Sequence, residues 1–199
     1  KKICNQFILK KFKKKIVTLP RIIIEPIQIF FSLFKFGDRY IFYYLDKYGK
    51  KEKSYSKKVD EHYLLTKYPS SLSFTNKENA KGAQLLKDLK LDSDCKFICF
   101  AARSGDFKNE KITSTRNSDI NKQFKAIKFL TSKNYKAVRL GKNNVSKIKW
   151  SNDNIIDISF DKNKSDFLDL YLMSKCQFFL TSQSGINYIA TLLRKKRLI

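Results

Sequence analysis

The chain has 199 residues and 42% hydrophobic content, enough for one ordinary domain or two small ones with a real core. Its formal charge of +24 raises nucleic acid as a partner, yet only Arg21, Arg39, Arg103, Arg116, Arg139, Arg194 and Arg197 carry the bidentate fork that base and phosphate readers depend on. The remaining basic residues are lysines spread along the whole chain, without the clustered footprint of such proteins, so no nucleic acid is expected. Metal chemistry is not expected either: Cys4, Cys95, Cys99 and Cys176 lack paired ligand spacing, and His62 is the single histidine. The last three cysteines lie in or beside apolar runs and read as buried free thiols of a reducing cytoplasm.

In chain order, residues 1–75 lack a regular rhythm. A basic, helix-like start carries Lys10, Lys11, Lys13, Lys14 and Lys15, and an apolar segment follows from Ile16 to Phe36. Pro20, Arg21, Glu25 and Pro26 interrupt that segment, so it falls short of the roughly 20 apolar residues of a membrane span. It reads either as a helix packed on another domain or as a peripheral contact with an anionic membrane. A strand-like run, Tyr40 to Leu45, precedes a polar, lysine-rich stretch from Asp46 to Lys58. This part resembles the remainder of a preceding domain, with a soft boundary near Thr75.

From Thr75 the signals sharpen. Thr75-Asn76-Lys77-Glu78 predicts a capping box opening a helix with Leu85, Leu86 and Leu89 on one face. Phe97 to Ala102 is apolar on both faces, as in a central parallel strand, and runs into Arg103-Ser104-Gly105-Asp106. After a polar loop, Asn117-Ser118 predicts the cap of a helix carrying Ile120, Phe124, Ile127 and Leu130. Ala137-Val138-Arg139-Leu140 predicts a second strand closed by Gly141, and Ile155 to Ile158 a third. Ser165 is the expected cap of a helix over Asp166 to Ser174. Gln177 to Leu180 predicts a fourth strand, followed by a helix that starts near Ser184-Gly185 and packs Ile186, Ile189, Ala190 and Leu193. Alternation of this kind predicts an α/β fold, a Rossmann-like doubly wound parallel sheet over residues 76–199 with right-handed crossovers. The chain begins without methionine and stops just after a basic run where such a sheet would continue, so it is expected to be incomplete.

Doubly wound sheets bind ligands at the carboxyl ends of their strands. Arg103 stands at the first such end, where a guanidinium meets a phosphate while Gly105 lets amides approach; its alternative is a surface pair with Asp106. Arg116 stands beside a helix start, where it complements an anion. Arg139 lies within a strand that otherwise reads as buried, so it either pairs with Asp157 on a neighbouring strand or faces a substrate. Asp157 carries the same choice, with ribose, base or a structural partner as its mate. Thr181-Ser182-Gln183-Ser184-Gly185 brings small hydroxyl residues and a glycine to a helix start and suits a diphosphate, without the lysine of a P-loop or the Gly-x-Gly-x-x-Gly of a dinucleotide site. Asp92-Ser93-Asp94 reads as an ordinary turn.

The ordered set Phe74-Thr75, Lys96 to Phe100 with Arg103, Arg116 to Ile120, Val138 to Gly141, Ile155 to Asp157, Ser165 to Asp169, Cys176 to Phe179 and Ser184-Gly185 resembles a family of bacterial glycosyltransferases related to fucosyltransferase-like enzymes of the GT-B fold. The similarity spans about Phe74 to Leu193. It implies that residues 76–199 are the C-terminal, donor-binding half. It also implies a metal-independent transfer from a nucleotide-sugar donor to a glycan or lipid-linked acceptor in cell-surface polysaccharide synthesis. Arg103 and Arg139 would face the donor diphosphate, with Ser182, Ser184 and Gly185 as its cradle and Arg116 and Asp157 in the same donor set. No cofactor is expected, and the catalytic residue is not assigned. The implied location is cytoplasmic, peripheral at the inner membrane where the basic start engages lipid. The residues leave open a basic nucleic-acid or membrane binder, and an inactive transferase fragment.

Overall fold

The computed structural model describes residues 5–13, 19–34, 42–45, 51–54, 67–70, 72–92, 94–103, 117–141, 147–150, 152–182 and 184–198. Arg116, Ser104, Gly105, Asp106, Gln183, Cys4 and His62 lie outside the described residues. The chain divides into two compact units, Lys1–Lys67 and Tyr68–Ile199.

In the first unit, α1 (Gln6–Phe12) starts at Asn5, whose side-chain oxygen accepts the Ile8 N–H at 2.9 Å. α2 (Arg21–Ser32) follows Pro20, whose fixed φ suits the entry to a helix. β1 (Phe42–Leu45) pairs antiparallel with β2 (Lys51–Ser54), which lies within the polar, lysine-rich stretch. No described helix is long and apolar enough to cross a membrane.

The second unit opens its regular structure with α3 (Asn76–Asp88), and the expected capping box is present. Thr75 Oγ1 accepts the Glu78 N–H at 3.3 Å, while the Glu78 carboxylate accepts the Thr75 N–H at 2.7 Å. β3 (Phe97–Ala101) is buried at every position, because helices cover both of its faces. A 3₁₀ turn (Ile120–Gln123) leads into α4 (Phe124–Ser132), and the cap is Asp119 rather than Asn117-Ser118, its carboxylate accepting the Asn121 N–H at 3.0 Å. β4 (Lys136–Arg139) leaves through Gly141, whose φ of 125° is one that L side chains rarely adopt. β5 (Ile155–Asp157) is cut short ahead of Ile158, because Asp157 caps a 3₁₀ turn (Ile158–Phe160) by accepting the Ser159 N–H at 3.0 Å. α5 (Asp166–Lys175) is capped by Ser165 and buried continuously from Phe167 to Met173. β6 (Phe178–Thr181), α6 (Ile186–Leu192) and β7 (Lys196–Leu198) complete the unit.

The five strands form one parallel sheet in the order β5-β4-β3-β6-β7. From β3 the chain winds outward through β4 to β5, crosses to the far side of β3 and winds outward again through β6 to β7, as in a Rossmann-like fold. Ile98 and Phe100 pack with Ile120, Ile127 and Ala137 in the core under α4. Alternation turns Cys99 to the opposite face, where it meets Cys176 at the end of α5. Helices α3, α5 and α6 pack one on the next.

The second unit begins ahead of Thr75 because residues 68–70 and 72–74 find partners within it. Ser70 Oγ donates to the Leu192 carbonyl at 2.8 Å, Arg194 Nε donates to the Tyr68 carbonyl at 3.1 Å, and Leu72 is buried. The Phe74 ring meets Tyr171 and Phe167 at centroid distances of 5.2 and 6.1 Å. Gly82 of α3 lies against that cluster, where an added Cβ would fall 2.3 Å from the Tyr171 ring. Among the described residues, α3, α4 and α6 are each followed by a non-glycine residue at positive φ: Lys90, Asn134 and Arg194. Each is followed by a residue whose N–H returns to the helix, Leu91 to Leu86, Tyr135 to Leu130 and Lys195 to Ala190.

Candidate functional site

The strand order reverses between β3 and β6, and the carboxyl ends of these two neighbours, Ala101 and Thr181, are paired in register. A reversal leaves a crevice because the connections from the two strands depart to opposite faces of the sheet. The two strand-end segments are tied across it: the Arg103 N–H donates to Ser182 Oγ at 2.9 Å. The Arg103 carbonyl in turn accepts the Ser118 N–H at 3.0 Å, so its backbone is held on both sides. The half-buried Arg103 guanidinium makes no hydrogen bond or ion pair among the described residues. A delocalised cation fixed at its root and unpaired at its head suits an anionic ligand.

Two amides converge on the same edge. Gln123 Nε2 donates to the Ala101 carbonyl at 3.1 Å, and Asn187 Nδ2 donates to the Ser182 carbonyl at 3.3 Å. Both amide nitrogens are thereby committed to strand-end carbonyls, which fixes their orientation and leaves Gln123 Oε1 and Asn187 Oδ1 as buried acceptors without a partner among the described residues. Ser184 Oγ shares that condition. Unpaired buried polar atoms are costly in a folded protein and concentrate where function compensates them. Thr181 Oγ1 donates to the Ser182 carbonyl at 2.9 Å, which anchors the strand end itself.

No protein-family model matches the chain, and no curated protein does. Among solved structures, the chain is similar to the ADP-heptose LPS heptosyltransferase II of E. coli, with a TM-score of 0.46 and 14% identity. The match covers 63% of this chain and 38% of that one.

The strand-end residues named from the sequence fall into two groups. Arg103, Ser182, Ser184 and Gly185 gather at the reversal point. Ser184 does not cap α6, whose start has no side-chain cap, and Gly185 has φ −59° with nothing within 4 Å of an added Cβ. Neither backbone conformation nor packing among the described residues requires glycine there. Arg139 and Asp157 sit one and two strands away, in register on β4 and β5, and pair with each other at 3.0 Å. Arg139 is 2% exposed, its guanidinium also lying 5.9 Å from the Phe160 ring centroid. Lys164 Nζ donates to the carbonyls of Ser159, at 3.0 Å, and Gly141, and so ties the turn after β4 to the turn after β5. Among the described residues no three His, Cys, Asp or Glu side chains come together as metal ligands. The two amides at the crevice, Gln123 and Asn187, were not singled out from the sequence. Their signal was a polar residue on a buried helix face, Gln123 between Ile120 and Ile127, and Asn187 one turn before Ala190.

Proposed function

We propose that the chain carries the donor site of a glycosyltransferase, with a nucleotide-sugar diphosphate bound across the carboxyl ends of β3 and β6. The observation that carries this reading is the bond from the Arg103 N–H to Ser182 Oγ at the point of strand reversal, beside a guanidinium that has no partner among the described residues. The order of motifs from Phe74 to Leu193 supplies the reaction class. In this reading Arg103, the hydroxyls of Ser182 and Ser184 and the open space beside Gly185 receive the diphosphate. Transfer then forms a bond from the acceptor's hydroxyl oxygen to the anomeric carbon and breaks the bond from that carbon to the donor's β-phosphate oxygen, the hydroxyl proton passing to a base or to water. The charge that develops on that oxygen meets Arg103, an electrostatic role that usually dominates such catalysis. Gln123 Oε1 and Asn187 Oδ1 accept from ligand hydroxyls, which a phosphate does not offer. Arg139 and Asp157 belong to the donor set as a bonded pair flanking the crevice on the β4 side, and Arg116 as a second cation. The acceptor is a glycan or a lipid-linked sugar in cell-surface polysaccharide synthesis, and the setting is the cytoplasmic face of the membrane.

The test is a thermal-shift and calorimetric titration of the chain with GDP, UDP, ADP and their sugars. At least one nucleotide is expected to raise the melting temperature. Arg103→Ala should weaken its binding by about ten- to a hundredfold, the worth of a charge-assisted hydrogen bond of about 1.5–3 kcal/mol. The backbone bond to Ser182 survives that substitution, so the fold is retained. No shift with any nucleotide, together with steeply salt-dependent retention on DNA, would sink the reading in favour of a nucleic-acid binder.

A further inference from the structure

The helix α2 is amphipathic in the reverse sense of a helix that faces water. At about 100° per residue, Ile29, Ile22, Leu33, Phe30, Ile23 and Ile27 cover roughly 160° of its circumference without a charge between them. These six are 56%, 80%, 74%, 55%, 47% and 47% exposed. The narrow polar stripe on the other side, Glu25, Gln28 and Ser32, is half-buried. An exposed, continuous apolar face of this extent marks an interaction surface.

Charge decides among its occupants. From Lys1 to Ile24 there are eight basic residues and no acidic one, with Lys10, Lys11 and Lys13 at the end of α1 just ahead of α2. A second copy of the chain would bring its own +24 charge to the same place, which disfavours self-association. An anionic bilayer surface is complementary to both features, since its headgroups attract the lysines and its acyl boundary takes the apolar face. At 12 residues the helix is about 18 Å long, against a hydrocarbon core of about 30 Å, so it fits the plane of the interface and not a span.

We infer that α2 is an interfacial helix that docks the chain on an anionic lipid surface, with the basic residues around α1 as its electrostatic partner. This does not depend on the donor site, and its test reads membrane binding alone. The full chain is sedimented with phosphatidylcholine vesicles and with vesicles in which one third of the lipid is phosphatidylglycerol. Binding is expected to the anionic vesicles and to weaken as salt is raised. Ile22→Asp/Leu33→Asp, at two exposed positions, should lower the partition coefficient by roughly tenfold or more, because the face can no longer leave water without a charge. Ile22→Ser/Leu33→Ser, which carries no new charge, should lower it in the same direction and stands in if the aspartate pair loses its native melting curve. Lys10→Glu/Lys11→Glu should weaken binding to anionic vesicles and leave the weak binding to neutral ones unchanged. Failure to sediment with anionic vesicles overturns the inference, as does binding that the two α2 pairs leave untouched. A dimer in light scattering that Ile22→Asp/Leu33→Asp dissolves would overturn it in favour of a second copy.

Discussion

Removing the Asp157 carboxylate tests how the sheet holds its buried cation. The Arg139 side chain is 3% exposed and Asp157 19%, with 3.0 Å between guanidinium and carboxylate. Breaking a fully buried pair by deleting one partner costs about 3–5 kcal/mol, since it strands a charge in a medium that solvates it poorly. Because a fifth of Asp157 meets water, the low end applies, about 3 kcal/mol, and the lost cap on the Ser159 N–H adds about 1 kcal/mol. For the unit Tyr68–Ile199, about 130 residues with an unfolding entropy near 2.1 cal/mol/K each, 3–4 kcal/mol corresponds to a fall of about 11–15 °C in melting temperature. Urea unfolding of Asp157→Ala, followed through Trp150, reports this directly, because the single tryptophan stacks on Phe100 and lies against Phe124 in the core beside α4. Asp157→Asn keeps an acceptor for the Ser159 N–H and should fall between the parent and Asp157→Ala. The double substitution Arg139→Met/Asp157→Leu removes both charges and should recover most of the loss. An Asp157→Ala protein within 1 kcal/mol of the parent, or a double variant no better than the worse single one, would refute the reasoning. A change in nucleotide affinity in the folded Asp157→Asn protein would tie the pair to the donor site as well.

Gly82→Ala should destabilise the second unit by about 1–3 kcal/mol in urea unfolding, because the new methyl overlaps a Tyr171 ring that Phe74 and Phe167 hold and whose hydroxyl donates to the Asn79 carbonyl. Lys90→Gly should stabilise it by about 0.5–1 kcal/mol in the same assay, since φ 56° suits glycine and the lysine is exposed. The Asp119 carboxyl is held below its ordinary value by the backbone N–H of Asn121, then by that residue's side-chain amide. Its contribution to stability is therefore present above the unfolded carboxylate range, about pH 4, and is lost as pH falls through the depressed folded value. Asp119→Asn keeps the capping oxygen and should remove that component of the acid-induced loss, measured as melting temperature between pH 5 and pH 2.

What could be read in the residues was whatever neighbours in sequence decide. The Thr75–Glu78 capping box and the Ser165 cap are local, realised by hydrogen-bond geometry within one turn, while the doubly apolar run of β3 announces burial on both faces without saying which distant elements supply it. From their alternation the Rossmann-like α/β class followed. The shift of the α4 cap from Asn117-Ser118 to Asp119 shows the limit of such signals, since three adjacent residues can each cap a helix and packing of Ile120 against Ile98 and Phe100 chooses among them. β7 was hidden because Lys196-Arg197-Leu198 looks like a solvated basic run; the backbone edge of β6, and not the side chains, recruits it. The unit boundary and the reach of Gln123 and Asn187 to the strand ends belong to tertiary structure alone, and for Arg139 it decided between the two readings the sequence left open by pairing it with Asp157. The bonds involved join residues between 5 and 126 positions apart, and only the order in which the strands and helices lie side by side brings such groups together.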